Sequence, residues 1–195
     1  MLWYIWFLLL LSLPSVSVAN CDKLVDIIKI SHLSVIDKDY PYWYSVGQAK
    51  AESNCKWIVS KDGHGSVGYF QLTPKFLDQI IRPVFPKYTE LHPHHFYGAA
   101  YFMKTLHKNN PSKKLWVTFQ MFNGGYLVIR ECKRADSWNW EDCKSECRRR
   151  NVCVLMKGGE CVQYRSACDI NYKYSKNIYS YGSSYRVGED KFIFW

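Results

Sequence analysis

"AESNCKWIVSKDGHGSVGYFQLTP", residues 51–74, sets a carboxylate, a glycine-rich segment and an amide within a short length of chain. The carboxylate is Glu52 and the amide is Gln71, with Gly63, Gly65 and Gly68 between them. Glycines at this density disfavour helix and strand, because glycine loses much conformational freedom on folding and has no side chain to pack. We therefore expect turns or a short hairpin that brings the backbone close to a ligand.

A helix is predicted just before this segment. It begins after Pro41 and runs through WYSVGQAKAES to about Ser53. Ser45, Ala49 and Glu52 stand at i, i+4 and i+7, which places them on one face of that helix. The two small side chains are expected to leave room for a ligand beside the carboxylate.

Further helices are predicted up to about residue 130, where apolar residues recur at helical spacing. Thr73 and Pro74 fit the N-cap and the first position of one of them. The run RPVFPKYTELHPHH, residues 82–95, is expected to be a loop, which disfavours a metal site at its histidines. The apolar residues at helical spacing are Leu24, Ile27 and Ile28; Ala99, Phe102, Met103 and Leu106; and Leu115, Phe119 and Phe122, with Gly124 as the stop.

The first 19 residues are expected to be a signal peptide. They carry no charge, and the apolar run from Leu2 to Leu13 is shorter than the roughly 20 residues of a membrane-spanning helix. Ser17 and Ala19 fit a leader-peptidase site. We therefore predict export to the periplasm or the extracellular space. Because no Lys or Arg precedes the apolar run, an uncleaved N-terminal anchor is the alternative.

The chain contains eight cysteines, and an even number in an exported protein indicates disulfides. A zinc site built on the cysteines after residue 130 would lack the usual CxxC spacing. A nucleophile made of Cys55 and His64 is another alternative, but a disulfide, with Cys21 as a candidate partner, is favoured. Neither a metal nor a cofactor is expected. The disulfide candidates are Cys21, Cys55, Cys132, Cys143, Cys147, Cys153, Cys161 and Cys168.

Composition limits the partners of the protein. Hydrophobic residues make up 48% and aromatic residues 17% of the chain, so extensive disorder is not expected. The formal charge of +9 favours anionic partners such as cell-wall polymers, although it is equally consistent with solubility alone. Nucleic acid is the partner least expected for an exported protein.

Polar side chains beside aromatic residues form a further pattern. Ser60 lies before the glycines, Gln71 follows two aromatic residues, and Asn123 belongs to the run MFNGG. Amides and hydroxyls that bind sugar hydroxyl and acetamido groups, together with apolar contact to the ring faces, are typical of sugar-binding grooves.

Glu52, Gln71 and Asn123 belong to three motifs and, from about residue 44 to 130, the chain resembles the catalytic domain of the soluble lytic transglycosylase family. Glu52-Ser53 matches the first motif of the family. GYFQLTP, residues 68–74, is similar to its Gly-Leu-Met-Gln-x-x-Pro motif, and FNGG, residues 122–125, to its Tyr-Asn-x-Gly motif. Tyr101 lies in GAAYFMKTL, which resembles a helix of the family.

The resemblance implies a lysozyme-like fold in which Glu52 is the single catalytic acid/base. Glu52 would protonate the bond between N-acetylmuramic acid and N-acetylglucosamine and then take the proton of the muramic 6-hydroxyl, giving a 1,6-anhydro product. A raised pKa is needed for this role, and Trp57, Tyr69 and Phe70 are candidates for the apolar wall that would supply it. The implied substrate-binding residues are Ser53, Ser60, Tyr69, Phe70, Gln71, Tyr101, Phe122 and Asn123.

Three departures and ambiguities accompany the resemblance. Phe122 replaces the tyrosine of the family and so lacks a hydroxyl near the scissile bond. Ser53 has two interpretations, as a helix-end hydroxyl or as a residue that orients Glu52. Asp62 and Asp78 are the nearest acidic residues after Glu52, and neither matches a catalytic position, which favours a mechanism with one carboxylate.

The expected fold class is α+β, mainly α. A lysozyme-like domain over residues 20–131 would be followed by a small disulfide-rich, basic and aromatic extension over residues 132–195. Alternation of Tyr with polar residues in 171–195 predicts short strands or an extended tail. The extension would bind anionic wall polymer or, as we favour, cover the core.

Three functions are compatible with the sequence. The first is an exported peptidoglycan lytic transglycosylase, acting as a monomer on glycan strands in phage lysis or beside a secretion or conjugation apparatus. The second is a hydrolytic lysozyme of the goose type. The third is a non-catalytic protein that binds peptidoglycan or chitooligosaccharides on the same scaffold.

Overall fold

A computed structural model describes residues 21–84, 86 and 92–195, and in this part the protein is mainly helical with one two-stranded sheet. The predicted signal peptide lies outside the described residues. The expected α+β, mainly α fold with a disulfide-rich C-terminal part is confirmed. The elements are α1 (Asp22–Val35), α2 (Trp43–Ser53), α3 (Pro74–Phe76), a π-helical turn (Leu77–Ile81), α4 (Arg82–Val84), α5 (His92–Asn109), α6 (Leu115–Gly124), α7 (Leu127–Arg134), α8 (Trp140–Ser145), β1 (Asn151–Lys157), β2 (Glu160–Ser166) and α9 (Ala167–Ser183).

The core forms where α2, α6 and α9 pack together, and glycines set the distance between α2 and α9. A Cβ on Gly47 would lie 2.4 Å from the carbonyl oxygen of Ile178. One on Gly182 would lie 2.7 Å from the carbonyl oxygen of Trp43. Any side chain at either position would therefore force the two helices apart.

Helix α9 corrects the prediction of strands or an extended tail over residues 171–183, whereas residues 184–195 form no regular helix or strand. The tyrosines do alternate locally with polar residues, but the buried positions repeat at helical spacing: Asn171, Tyr172, Tyr174, Ser175, Ile178 and Gly182. Ser166 caps the helix by accepting a hydrogen bond from the Asp169 N–H at 3.2 Å. Residues 167–183 therefore cover the core as a helix, in agreement with the favoured role of the extension.

The chain end also packs on the core. The backbone N–H groups of Leu115 and Trp116 donate to the carbonyls of Ile193 and Phe194, at 2.8 and 3.0 Å. The Phe194 ring is buried against Phe119 of α6. These contacts fix the N-terminus of α6, which bears Asn123 at its other end.

The start of α5 corrects a second prediction, because the HPHH run is not a loop but the first turn of that helix. His95 is buried there and its Nε2 accepts the backbone N–H of Phe70 at 3.1 Å. Gly68 has a φ of +80°, and a Cβ on it would lie 2.5 Å from the His95 ring. His95 therefore packs against the end of the glycine-rich segment and holds it by a hydrogen bond.

All eight cysteines form disulfides, so the predicted disulfide framework is confirmed and both thiol alternatives, zinc binding and a Cys55 nucleophile, are wrong. Four disulfides indicate a protein that matures in an oxidising, exported location. Among the helices of the described residues, none is long and apolar enough to cross a membrane. The pairs are Cys21–Cys55, Cys132–Cys143, Cys147–Cys168 and Cys153–Cys161.

The two strands form an antiparallel hairpin that Cys153–Cys161 closes. The backbone N–H of Met156 in β1 donates to the carbonyl of Lys61 at 3.0 Å. This bond fixes the hairpin against the glycine-rich segment. As a result, Val154 of β1 reaches the cavity described next.

Candidate active site

Glu52 is the penultimate residue of α2, as predicted, and the chain turns sharply after it. Asn54 and Cys55 both adopt left-handed conformations, with φ of 55° and 57°. The disulfide from Cys55 to Cys21 then ties this turn to the start of α1. The sharp turn leaves the partly buried Glu52 carboxyl on the wall of a cavity.

The cavity has a volume of about 830 Å³, which lies within the usual range for small-molecule sites. It brings together five of the residues predicted for the site: Glu52, Ser60, Gln71, Phe122 and Asn123. The other lining residues are Ile58, Val59, Lys61, Asp62, His64, Ser66, Leu72, Thr73, Lys75, Phe102 and Val154.

The glycine-rich segment forms turns, as predicted, and hydrogen bonds hold its polar side chains in place. Asp62 Oδ1 accepts from the Ser60 hydroxyl at 2.5 Å and from the backbone N–H of His64 at 2.9 Å. Gly63 and Gly65 have φ of 84° and 70°, values that side-chain-bearing residues rarely adopt. The segment is therefore ordered before any ligand binds.

Gln71 adopts a left-handed conformation with a φ of 47°. Its amide nitrogen donates to the carbonyl of Ile58 at 3.0 Å and to that of Gly68 at 2.8 Å. The nitrogen thus holds the glycine-rich segment together. Because a non-glycine residue in this conformation is uncommon, the backbone at Gln71 is constrained by its surroundings.

Asn123 lies at the end of α6 and is exposed. Its amide nitrogen donates to Asn171 Oδ1 of α9 at 3.1 Å. Asn171 in turn donates to Gln120 Oε1 at 2.8 Å. A chain of buried amides therefore fixes the orientation of Asn123 in the cavity.

The Glu52 carboxyl on the wall of this cavity has a raised pKa. Burial raises the pKa of Glu52 from 4.5 to about 7, while the hydrogen bond from Tyr174 opposes the rise. The Tyr174 hydroxyl donates to Glu52 Oε1 and accepts from Gln48 Nε2 at 3.2 Å. Because Gln48 stands one turn before Glu52 on α2, the same helix carries the carboxyl and the residue that orients its partner.

Tyr174, which donates a hydrogen bond to Glu52, is a residue that the sequence did not predict for the site. It lies on α9, which was expected to be strand or extended, and 122 positions separate it from Glu52. Only the helical spacing of buried positions in α9 could have indicated an inward-facing tyrosine.

The apolar wall differs from the predicted one. Phe102 and Phe122 line the cavity with their ring centroids 4.8 Å apart. Phe70 has no exposed surface and belongs to the core, so the prediction that it contacts substrate is wrong. Tyr69 is also buried, stacked on Phe96 at 5.3 Å, and lies outside the lining.

Five other predicted positions lie outside the cavity lining. The Ser53 hydroxyl is buried and donates to the carbonyls of Ala49 and Tyr69, at 3.1 and 2.9 Å, so the helix-end interpretation is the correct one. Tyr101 is half-buried and Trp57 packs edge-on against Tyr69. Ser45 is fully buried, as is Ala49, so these small residues accommodate protein packing instead of a ligand.

A second carboxylate, Asp62, lines the same cavity as Glu52. Partial burial would raise the pKa of Asp62, but hydrogen bonds from Ser60 and from the His64 N–H outweigh it and lower that pKa. The cavity therefore holds one carboxyl that favours its protonated form and one that favours its charged form. Asp78 lies elsewhere, paired with Arg82 at 2.5 Å on the surface.

Comparison of the chain with protein-family models, with curated proteins and with solved structures found no match. The function is therefore inferred from the residues and geometry of the cavity.

Proposed function

We propose that this protein is an exported peptidoglycan lytic transglycosylase that cleaves the β-1,4 bond between N-acetylmuramic acid and N-acetylglucosamine. One observation carries the proposal: the Glu52 carboxyl, with a pKa raised to about 7, lies on the wall of a cavity large enough for sugar rings. The motifs shared with the soluble lytic transglycosylase family support it. The protein acts as a monomer on glycan strands, in phage lysis or beside a secretion or conjugation apparatus.

Glu52 performs both proton transfers. In its protonated form it donates a proton to the glycosidic oxygen as the bond to the anomeric carbon breaks. The resulting carboxylate then takes the proton of the muramic 6-hydroxyl, whose oxygen bonds to the anomeric carbon and closes the 1,6-anhydro ring. A pKa near the working pH suits a group that must alternate between acid and base.

Tyr174 is a positioning residue in this scheme. Its hydroxyl donates to Glu52 Oε1 and so stabilises the carboxylate that forms after the first proton transfer. The aromatic pair Phe102 and Phe122 provides apolar surface for a ring face. The oxygens of the Gln71 and Asn123 side chains accept hydrogen bonds from sugar hydroxyl or acetamido groups.

Hydrolysis, as in a goose-type lysozyme, is the second candidate, and Asp62 is the observation that favours it. A charged carboxylate in the same cavity as a protonated one could activate a water molecule while Glu52 acts as the acid. The sugar would then receive a hydroxyl at the anomeric carbon and leave with a reducing end.

Digestion of purified peptidoglycan followed by mass analysis of the fragments tests these functions. We expect anhydro ends from the wild-type protein and at least a 100-fold slower release, about the lower limit of general acid–base catalysis, from Glu52→Gln. Asp62→Asn is the matched control, since it removes the other carboxylate. If the wild-type protein gives reducing ends and Asp62→Asn does not, the protein is a hydrolase and not a transglycosylase. If the wild-type protein releases no fragments, it is a binding protein.

A further inference from the structure

A second cavity of about 570 Å³ adjoins the first, and Asn123 lines both. Five arginines line it, whereas Glu131 is its one acidic lining residue. The arginines are Arg130 and Arg134 of α7 and Arg148, Arg149 and Arg150 before β1. Leu127, Val152, Ala167 and Ile170 provide apolar surface, and Gly124 and Asn171 complete the lining.

The base of this cavity is a buried ion pair. Arg149 donates to Glu131 from Nε at 2.6 Å and from Nη2 at 2.8 Å, and both side chains are almost fully buried. The Tyr172 hydroxyl donates to the same carboxylate at 2.7 Å. Glu131 is thereby neutralised, so it does not offset the charge of the other arginines.

The ion pair lies against the end of α6. A Cβ on Gly124 would lie 2.5 Å from Arg149 Nη1 and 2.7 Å from Asn171 Oδ1. Glycine at this position therefore lets Arg149 and Asn171 approach the backbone beside Asn123. The same short run, FNGG, thus contributes to both cavities.

Disulfides hold the arginine-bearing segment in place. Cys147 precedes the three arginines and pairs with Cys168 near the start of α9. Cys132 of α7 pairs with Cys143 of α8, which fixes the other side. Arg148, Arg149 and Arg150 therefore follow a cysteine that is tied to α9, while Arg130 and Arg134 lie on a helix that is tied to α8.

Two of the five arginines have no acidic partner among the residues that the structure describes. Arg134 and Arg148 share Glu146, at 3.5 and 3.4 Å. No described carboxylate lies within ion-pair distance of Arg130 or Arg150, and both side chains are exposed. The rim of the cavity therefore carries uncompensated positive charge, next to apolar surface.

We propose that this cavity binds the short acidic peptide attached to the muramic acid of the same strand that occupies the Glu52 cavity. Guanidinium groups bind carboxylates by paired hydrogen bonds, and the apolar lining suits alanine and alkyl side chains. A wall polymer of polyol phosphates has the charge but not the apolar surface. The shared residue Asn123 places the peptide next to the sugar from which it branches. This inference rests on the proposed function.

Direct binding of a sugar-free peptide tests the proposal. The probe is the tetrapeptide Ala-γ-Glu-diaminopimelate-Ala, measured by calorimetry against the wild-type protein and against Arg130→Gln/Arg150→Gln. Lys108→Gln/Lys133→Gln is the matched control, because both lysines are exposed and lie outside both cavities. Replacing them lowers the net charge by the same amount as replacing the two arginines. We expect at least about a tenfold loss of affinity in the arginine variant and less than about a twofold loss in the control.

Three results would overturn the proposal: equal losses in the two double variants, unchanged affinity for the peptide with its carboxylates converted to amides, or binding of a polyol-phosphate polymer without binding of the peptide. Glu52→Gln separates this inference from the proposed function. That variant should bind the peptide as the wild type does while failing to cleave glycan. If it cleaves normally and the arginine variant still loses the peptide, the proposed function fails and the peptide site stands.

Discussion

The segment over residues 52–75 and the C-terminal residues 132–195 both supply side chains to the candidate active site, but different interactions hold them. Residues 52–75 contain one disulfide cysteine, Cys55, and are otherwise ordered by hydrogen bonds, such as those from Ser60 and the His64 N–H to Asp62. The C-terminal residues are held by three disulfides and by close packing of α9 on α2. The first region carries Glu52, and the second carries Tyr174, which donates a hydrogen bond to it, together with four of the five arginines that line the second cavity.

This difference indicates that Glu52 and the tyrosine that lowers its pKa come from separate parts of the chain. Glu52 would be an ordinary glutamate at a helix end without the neighbours that bury it. Burial raises the pKa of Glu52 to about 7, and Tyr174 of α9 makes the one hydrogen bond that opposes the rise. Substitutions in the two regions should therefore change stability and the pH dependence of activity in different ways.

The largest effect on stability is expected from the C-terminal disulfides. Replacing Cys147 and Cys168 by serine should lower the free energy of unfolding by about 2–5 kcal/mol. Cys153→Ser/Cys161→Ser is the matched control, because its loop of 8 residues is shorter than the loop of 21 and hydrogen-bonded strands already close it. Urea unfolding of both variants makes the comparison, and an equal or larger loss in the hairpin variant would contradict the expectation.

A smaller effect is expected from Glu52 itself, and it depends on pH. The folded protein keeps this carboxyl protonated up to its pKa of about 7, whereas the unfolded chain releases the proton near 4.5. Stability should therefore fall as pH rises between these two values and stay level above about pH 7. Glu52→Gln lacks this loss, so it should match the wild type at pH 4 and exceed it by at most about 3 kcal/mol at pH 8.

Urea unfolding at pH 4, 6 and 8 measures this difference. Glu141→Gln is the control, since Glu141 is exposed and pairs with Lys176 at the surface. An advantage of Glu52→Gln that is the same at all three pH values would show that its carboxyl does not titrate abnormally.

Much of the first region could be predicted from the sequence, because its signals are local. Neighbouring residues determine three helix ends: the end of α2 at Ser53, the start of α3 at Thr73-Pro74 and the end of α6 at Gly124. Which side chains line the cavity was harder to predict. Phe70 and Ser53 belong to the motifs that resemble the transglycosylase family, but both are buried in the core.

The second region could not be predicted in the same way. The contact between Tyr174 and Glu52 depends on glycines in both helices, and no local pattern reports such a pairing. The alternation of tyrosines resembled a strand, whereas the buried face of α9 is helical. The start of α5 at His92 was missed because prolines and histidines are common in loops.

The smallest effect on stability is expected from Tyr174→Phe, which tests whether the second region sets the pKa of Glu52 in the first. The hydrogen bond from Tyr174 lowers the pKa of Glu52, so its loss should move the alkaline limb of the activity profile to higher pH. It should also cost about 1 kcal/mol of stability. Tyr172→Phe is the control on the same helix, since its hydroxyl bonds Glu131 instead of Glu52. A shift of the profile in the control as well would assign it to a general change in α9.

The most direct test of the central claim is a titration of the Glu52 carboxyl itself. The claim is that its surroundings keep this group protonated near neutral pH. The chemical shift of its ¹³C-labelled carboxyl carbon, followed from pH 3 to 9 and assigned with Glu52→Gln, reports its pKa. We predict a midpoint at about 7 in the wild-type protein. A midpoint near the ordinary value of about 4.5 would contradict the assignment of Glu52 as the proton donor.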